Sequence, residues 1–258
     1  MKMSNEILKT IEEKLNEIEQ KEDVKILHCV ESGSRAWGFA SPDSDYDVRF
    51  IYVRKADWYL KLDGGRDVIE WQLDDVLDIN GWDLQKTLKL LHNSNPTVFE
   101  WDKSPIVYRS TPEWKSISDK MKNWFSVNKM LHHYLGIAVG QYNRNLKGDE
   151  IKLKKYFYVL RSILACEWIA DRKIAPPVLF EELKAAYLPK EYADIVDNLI
   201  ARKKAIGEME TEKKNPVLDE YLIDRLQYFT EYVKNVEKDD PKDWEELNKL
   251  FRQNIKGE

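Results

Sequence analysis

Two kinds of hydrophobic spacing divide the chain. In roughly the first 110 residues, apolar runs and period-two alternation predominate and predict β-strands. The predicted strands are 24–31, 46–53, 67–72 and 76–79. An amphipathic pattern at 3–22 and a second one at 82–92 predict helices between and before these strands. The first part of the chain is therefore expected to fold as a mixed sheet with a few helices.

The remainder of the chain places its apolar residues three and four positions apart, which predicts helices throughout. These helices are expected at 113–145, 151–171, 178–187, 190–213, 217–236 and 242–255. Gly136 and Gly140 predict a kink or close packing within the first of them. A mixed sheet followed by a helical half predicts an α+β fold with domains at 1–110 and 111–258.

The charge is distributed unevenly between these two parts. The net charge of −5 divides into 15 basic and 21 acidic residues before position 111 and 26 basic and 25 acidic residues after it. Within 129–165, seven basic residues stand against two acidic ones. An acidic half beside a basic patch suits a polyphosphate or nucleic-acid substrate, and an ordinary solvated helix face is the alternative.

Composition also limits the cellular setting. Apolar runs stay shorter than 18 residues and the first residues are charged, so we expect neither a membrane-spanning helix nor a signal peptide. Cys29 and Cys166 both stand among apolar residues, which suits buried thiols in a reducing compartment. We therefore expect a cytoplasmic protein without a membrane partner.

The segment between the first two predicted strands carries the strongest chemical signal. Gly33 and Ser34 follow the first strand, ten residues intervene, and Asp45-Tyr46-Asp47-Val48 opens the next strand. Alternate residues of a strand share a face, so Asp45 and Asp47 are expected side by side, where a divalent cation would offset their repulsion. Gly33 would admit a ligand close to the backbone, and Ser34 could donate to a phosphate oxygen. The pattern predicts a site for a nucleotide with Mg²⁺ or Mn²⁺.

This pattern resembles the signature of the DNA polymerase β nucleotidyltransferase superfamily, in which Gly-Ser and Asp-apolar-Asp-apolar are separated by a similar gap. The longer wording at 31–49, ESGSRAWGFASPDSDYDVR, is similar to the YcgL/RlaP group of predicted nucleotidyltransferases. Further similarities extend the resemblance to residue 168. It implies a small catalytic domain, a helical domain that closes the cleft, and transfer of a nucleoside monophosphate (NMP) from a nucleoside triphosphate (NTP) to a hydroxyl, with an RNA end as the suggested acceptor.

The resemblance also implies a third carboxylate on a neighbouring strand. Two acids stand between apolar residues, Asp78 and Glu70. We prefer Asp78 as the third metal ligand because its strand leads into the helix that begins with Gly81-Trp82. Glu70 remains the alternative.

Other residues are candidates for phosphate or base contacts. Arg35 follows the glycine turn and could bind a phosphate through two hydrogen bonds, although a surface role is the alternative. A second group combines cations with an aromatic ring on one predicted helix: Lys154, Lys155, Tyr158 and Arg161. These residues could hold phosphates and stack on a base, or simply form a solvated face.

Two rival functions remain open on the sequence alone. The NMP could be transferred to a protein side chain or to a small molecule, or the chain could bind nucleotide or RNA without catalysis. The intact Asp45-Tyr46-Asp47 pattern argues against the second rival.

Overall fold

A mixed β-sheet forms the centre of the first half of the protein in the computed structural model, which describes residues 5–72, 76–205 and 211–255. Its strands are β1 (Val24–Glu31), β2 (Tyr46–Arg54), β3 (Val68–Gln72), β4 (Leu77–Asp83) and β5 (Val107–Ser110). Within the described residues they follow the order β3-β4-β2-β1-β5. β2 and β4 run parallel, and the other neighbouring strands are antiparallel. The α+β expectation is confirmed.

Helices cover and connect these strands. They are α1 (Asn5–Glu22), α2 (Gly33–Trp37), α3 (Ala56–Tyr59), α4 (Leu84–His92) and α5 (Pro96–Asp102). The helix predicted at 82–92 begins two residues late because Trp82 and Asp83 belong to β4. The Asp83 side chain then caps α4 by accepting a hydrogen bond from the Gln85 N–H at 2.7 Å.

The second half is helical, with one small addition. Its elements are α6 (Pro112–Ser118), α7 (Val127–Asn145), β6 (Glu150–Lys152), α8 (Leu153–Arg172), α9 (Phe180–Tyr187), α10 (Lys190–Ala205), β7 (Thr211–Lys213), α11 (Pro216–Tyr232) and α12 (Glu245–Ile255). Short 3₁₀ turns occupy Met121–Trp124 and Val233–Asn235. None of the helices in the described ranges combines the length and apolarity that crossing a bilayer requires.

The single helix predicted at 113–145 is wrong. The chain breaks between α6 and α7, where the Ser126 hydroxyl accepts a hydrogen bond from the Lys129 N–H at 3.1 Å and starts a new helix. Gly136 and Gly140 lie inside α7 without interrupting it. The break follows a capping side chain, because a helix start must satisfy backbone N–H groups that have no partner within the helix.

The pairing of β6 with β7 was not anticipated. The helix predicted at 190–213 ends at Ala205 in the described part, residues 206–210 lie outside it, and 211–213 form β7. Ile151 of β6 pairs with Glu212 of β7. Three-residue strands are too short for alternation to be recognised in sequence.

Two hydrophobic clusters cover opposite faces of the sheet. α1 packs Ile11, Leu15 and Ile18 against one face, which also buries Phe50. The other face contributes residues of β1 and β2 to a larger core that runs on through the helices of the second half. The core is therefore continuous across position 110, and the division into domains at 1–110 and 111–258 stays a prediction.

Gly136 offers a stability test of α7. It is exposed, and an added Cβ would meet no atom within 4 Å. Gly136→Ala should therefore raise the free energy of unfolding by about 0.5–1 kcal/mol, because alanine restricts the unfolded chain and favours the helix. The midpoint of urea unfolding measures this change.

Gly81→Ala is the matched contrast. Its added Cβ would stand 2.1 Å from the Phe50 ring, which is fully buried and cannot move aside. We expect the free energy of unfolding to fall by about 1–3 kcal/mol because of this overpacking.

Destabilisation by Gly136→Ala would show that α7 is not continuous at that position.

Candidate active site

The turn after β1 rests directly on the start of β2. The Ser32 N–H donates a hydrogen bond to the Asp47 carbonyl at 2.8 Å. Gly33 has a φ of +58°, and a Cβ at this position would stand 2.1 Å from Asp47 Oδ2. Glycine is needed here for two reasons: the left-handed backbone conformation and the space that the Asp47 carboxylate occupies. Gly33 and Asp47, which the sequence placed in one site, are therefore in contact.

Asp45 lies just before β2 rather than in it, and it is exposed. The alternation argument that put Asp45 and Asp47 on one strand face therefore does not apply, because Asp45 belongs to the preceding loop. Arg35 holds this loop: its Nε donates to the Asp45 carbonyl at 3.0 Å and its Nη2 to the Ser44 carbonyl at 2.6 Å. Arg35 thus keeps Asp45 close to the glycine turn, and its contact with a phosphate remains a prediction.

Asp78 stands beside Asp47 on the neighbouring parallel strand. The two residues are register partners between β2 and β4. Arg49, two positions after Asp47 on the same face, donates from Nη2 to Asp47 Oδ1 at 2.6 Å and to Asp78 Oδ2 at 2.7 Å. One guanidinium nitrogen therefore reaches both carboxylates, and its charge reduces their mutual repulsion.

Glu70 is placed differently. It pairs with Asn80 rather than with Asp78, and its carboxylate accepts a hydrogen bond from Arg66 at 2.7 Å on the exposed side of β3. Of the two candidates for the third carboxylate, the structure brings only Asp78 against Asp47. The chemical role of either residue stays a prediction.

Glu31 is a site residue that the sequence analysis missed. It is fully buried, accepts a hydrogen bond from the Asp47 N–H at 2.9 Å, and accepts another from the Tyr108 hydroxyl. Burial raises the pKa of Glu31 to about 7, although both hydrogen bonds favour the carboxylate and act in the opposite direction. An acid at the end of a largely apolar strand, two positions before Gly33, was the available signal.

The candidates on α8 separate into two groups. Tyr158 and Arg161 contact α2: the Tyr158 ring meets the Trp37 ring edge-on at 5.3 Å, and Arg161 Cζ lies 4.6 Å from the centre of the Trp37 ring. The Arg161 side chain is only 5% exposed and donates to Glu100 Oε1 at 2.9 Å. The alternative of a solvated helix face is therefore wrong for Arg161.

Lys154 and Lys155 form the other group, at the start of α8. Burial lowers the pKa of Lys155, and the neighbouring charges of Lys154, Lys152 and Arg144 lower it further. We call these four residues the basic cluster. A bound anion would relieve their mutual repulsion. The basic cluster therefore suits a phosphate chain or a nucleic-acid backbone.

Carboxylate oxygens are ligands that a hard divalent cation such as Mg²⁺ prefers. In the ranges 5–72, 76–205 and 211–255, no group of three or more His, Cys, Asp or Glu side chains is arranged to hold a metal ion. Asp47 and Asp78 direct one carboxylate oxygen each to the same atom, Arg49 Nη2, so a cation held by both carboxylates would take the place of this guanidinium contact. Mg²⁺ is often held by one or two carboxylates together with substrate phosphates, so such a pair suits Mg²⁺ or Mn²⁺ that arrives with a nucleotide.

Comparison with known proteins yields matches along nearly the whole chain. The model of the family described as "RlaP: RNA repair pathway DNA polymerase beta family" matches residues 7–253. The chain is 41% identical over 244 residues to the uncharacterized protein YcgL of Bacillus subtilis (strain 168), and the match covers 93% of each protein. The crystal structure of a nucleotidyltransferase-like protein from Exiguobacterium sibiricum 255-15 is similar with a TM-score of 0.33 and 11% identity, over 87% of this chain and 74% of that one.

Glu31 should give the protein a measurable pH dependence. Its pKa in the folded state is about 7 against the usual 4.5, so the folded state binds more protons between these values and stability falls as the pH rises through them. Wild type should therefore lose about 3 kcal/mol relative to Glu31→Gln between about pH 4.5 and pH 7. Urea unfolding in EDTA at several pH values measures the difference.

A second variant tests the cause of this effect. Tyr108→Phe removes a hydrogen bond that lowers the pKa of Glu31, so the loss of stability should move to higher pH. Parallel stability curves for wild type and Glu31→Gln would show that Glu31 does not titrate in this window.

Proposed function

Because the chain belongs to the RNA repair pathway DNA polymerase beta family of nucleotidyltransferases, we propose that it transfers an NMP from an NTP to an acceptor hydroxyl with the help of Mg²⁺. The observation that carries this proposal is the contact of Asp47 with the Gly33 turn, together with the position of Asp78 beside Asp47 on the neighbouring strand. Two carboxylates beside a backbone without a side chain suit a metal-bound triphosphate. We further propose that the acceptor is an RNA end.

Three residues of the turn would hold the triphosphate. Gly33 presents backbone without a Cβ, the Ser34 hydroxyl donates to a phosphate oxygen, and Arg35 adds positive charge while it fixes the loop that carries Asp45. The basic cluster at the start of α8, which includes Lys154 and Lys155, would attract the phosphates of the nucleotide or of the acceptor.

The reaction forms one P–O bond and breaks another. The acceptor oxygen attacks the α-phosphorus, the bond from this phosphorus to pyrophosphate breaks, and pyrophosphate leaves with the electron pair. Bound at Asp45, Asp47 and Asp78, Mg²⁺ would neutralise charge on the triphosphate and lower the pKa of the attacking hydroxyl. The Asp78 side chain is 53% exposed, so an acceptor approaching from solvent can pass its proton to this carboxylate.

The basic cluster supports a nucleic-acid acceptor. Three cations lie close enough to Lys155 to lower its pKa: Lys152, Lys154 and Arg144. A phosphodiester backbone would neutralise such a group and release bound counterions. The name of the matched family, which refers to an RNA repair pathway, supports the same class of acceptor.

Single substitutions at the acidic pair test the proposed transfer. Asp47→Asn and Asp78→Asn should each lower the rate of NMP transfer by at least about a hundredfold, because metal-assisted charge stabilisation is worth several kcal/mol. Glu70→Gln is the matched control and should retain most of the activity, since Glu70 pairs with Arg66 instead. Transfer of label from α-³²P-NTP in the presence of Mg²⁺ measures the rate.

Two outcomes would contradict the assignment. Full activity of Asp47→Asn with an unchanged far-ultraviolet circular dichroism spectrum would remove Asp47 from the reaction. A large loss in Glu70→Gln together with an active Asp78→Asn would make Glu70 the third carboxylate.

A separate experiment tests the acceptor. Labelled NTP is offered with RNA, with protein or with small hydroxyl compounds, and RNA is expected to take the label. The double variant Lys154→Ala/Lys155→Ala should bind RNA more weakly and lower the slope of log affinity against log salt by about one to two, because two phosphate contacts are lost.

Lys9→Ala/Lys21→Ala provides the control for charge removal. Both lysines lie on α1, which packs on the sheet face opposite Asp47, and both are exposed. Label that appears only on protein or on a small compound would exclude RNA as the acceptor.

A further inference from the structure

Arg49 makes four hydrogen bonds beside Asp47 and Asp78. Its Nη2 donates to one carboxylate oxygen of each acid, Asp47 Oδ1 at 2.6 Å and Asp78 Oδ2 at 2.7 Å. Its Nη1 donates to two backbone carbonyl oxygens, that of Asp78 at 3.0 Å and that of Val48 at 3.2 Å. The guanidinium is therefore held by the carboxylates through one nitrogen and by the backbone through the other.

The Arg49 guanidinium balances the charge of this acid pair. Asp47 and Asp78 are register partners on parallel strands, so ionised carboxylates at these positions repel each other. The Arg49 side chain is 17% exposed, so salt and water screen its charge less than that of a surface arginine. A divalent cation that binds the same two carboxylate oxygens must displace Arg49 Nη2, and it then meets a positive charge at short range.

The two oxygens of Asp47 have different neighbours. Oδ1 accepts the hydrogen bond from Arg49, whereas Oδ2 lies 2.1 Å from the place that a Cβ on Gly33 would occupy. The Asp47 carboxylate therefore connects Arg49 with the turn at which the triphosphate is proposed to bind. The Nη1 bonds go to the backbone and do not depend on the carboxylates, so Nη2 can exchange one acceptor for another while the guanidinium stays at the site.

We propose that Arg49 is an exchangeable counter-charge, which holds Asp47 and Asp78 until Mg²⁺ and a triphosphate bind and then donates from Nη2 to a phosphate oxygen. In this role Arg49 opposes the binding of a divalent cation alone but not the binding of the cation with its triphosphate. The inference rests on the proposed function, because it takes Asp47, Asp78 and the Gly33 turn as one site for metal and triphosphate.

The chemistry of the guanidinium suits this exchange. Arginine stays charged at every physiological pH, and its fork of N–H donors binds carboxylate and phosphate oxygens equally well. A cation that binds alone leaves Arg49 without an acidic acceptor, whereas a triphosphate supplies new ones. Arg49 therefore couples the binding of metal and triphosphate, and such a coupling acts equally in both directions.

Arg49→Gln separates the two effects in equilibrium binding to the full chain. Mn²⁺ alone, measured by electron paramagnetic resonance, should bind at least about tenfold more tightly, because it no longer displaces a charge-assisted hydrogen bond, whose strength corresponds to about this factor. The complex of Mg²⁺ with inorganic tripolyphosphate, measured by calorimetry, should bind no more tightly than to wild type. The gain at the carboxylates is offset in this case by the loss of the phosphate contact.

Two further variants control for charge and for folding. Arg49→Lys keeps the positive charge and should restore most of the wild-type difference between the two affinities. Arg66→Gln removes an exposed arginine that pairs with Glu70, and it should leave both affinities unchanged because salt screens exposed charges. Urea unfolding gives an independent measurement: Arg49→Gln should be less stable than wild type in EDTA and should gain more stability from Mn²⁺.

Each result supports or overturns the inference. Unchanged or weaker binding of Mn²⁺ by Arg49→Gln would show that Arg49 does not oppose the cation. Tighter binding of the tripolyphosphate complex by the same factor as Mn²⁺ would show that Arg49 does not contact a phosphate. Weaker binding of both ligands would reduce Arg49 to a structural role.

The inference and the proposed function can fail separately. NMP transfer without the expected difference between Mn²⁺ and the tripolyphosphate complex would leave the proposed function standing and overturn the role of Arg49. The expected difference without transfer to any acceptor would support the role of Arg49 in binding and refute the proposed function.

Discussion

The contact between the Gly33 turn and the Asp47 carboxylate is the constraint on which the site depends. The Ser32 N–H fixes the turn to the Asp47 carbonyl, and a side chain at position 33 would displace the carboxylate. The Glu31 carboxylate also fixes Asp47 by accepting a hydrogen bond from its backbone N–H. Once Asp47 is held, strand register determines that Asp78 stands next to it, and Arg49 bridges the two acids.

A helix of five residues joins this acidic pair to the second half of the protein. α2 starts at Gly33, and its last residue, Trp37, packs against Tyr158 and under the Arg161 guanidinium. Phe39, just beyond α2, contacts Phe157 and Phe180 and continues the apolar core. The helical half therefore contributes side chains around the helix that starts at the turn. Both halves of the protein, and not the sheet alone, build the surroundings of the site.

Periodicity predicted four of the five strands of the described sheet and most helices, and missed the four-residue edge strand β5 (Val107–Ser110); its failures have physical causes. The helix assumed at 113–145 is interrupted because Ser126 caps a new start, which an apolar pattern does not register. β6 and β7 escaped notice because each has three residues and is stabilised by its partner. The start of β2 at Tyr46 was predicted correctly, but strand alternation was applied to Asp45, which lies one residue before it. The distinction matters because alternation determines which way a carboxylate points only within a strand.

Local sequence by itself determined most of the strands and helices, the glycine turn and the proximity of Gly33 to Asp47. It also narrowed the third carboxylate to Asp78 or Glu70. Only the tertiary structure decided that Asp78 adjoins Asp47, that Glu31 is buried with a raised pKa, and that Arg161 meets Glu100, a residue 61 positions earlier. The reason is that burial, register and charge pairing depend on segments far apart in the chain, and no local pattern records which of them will meet.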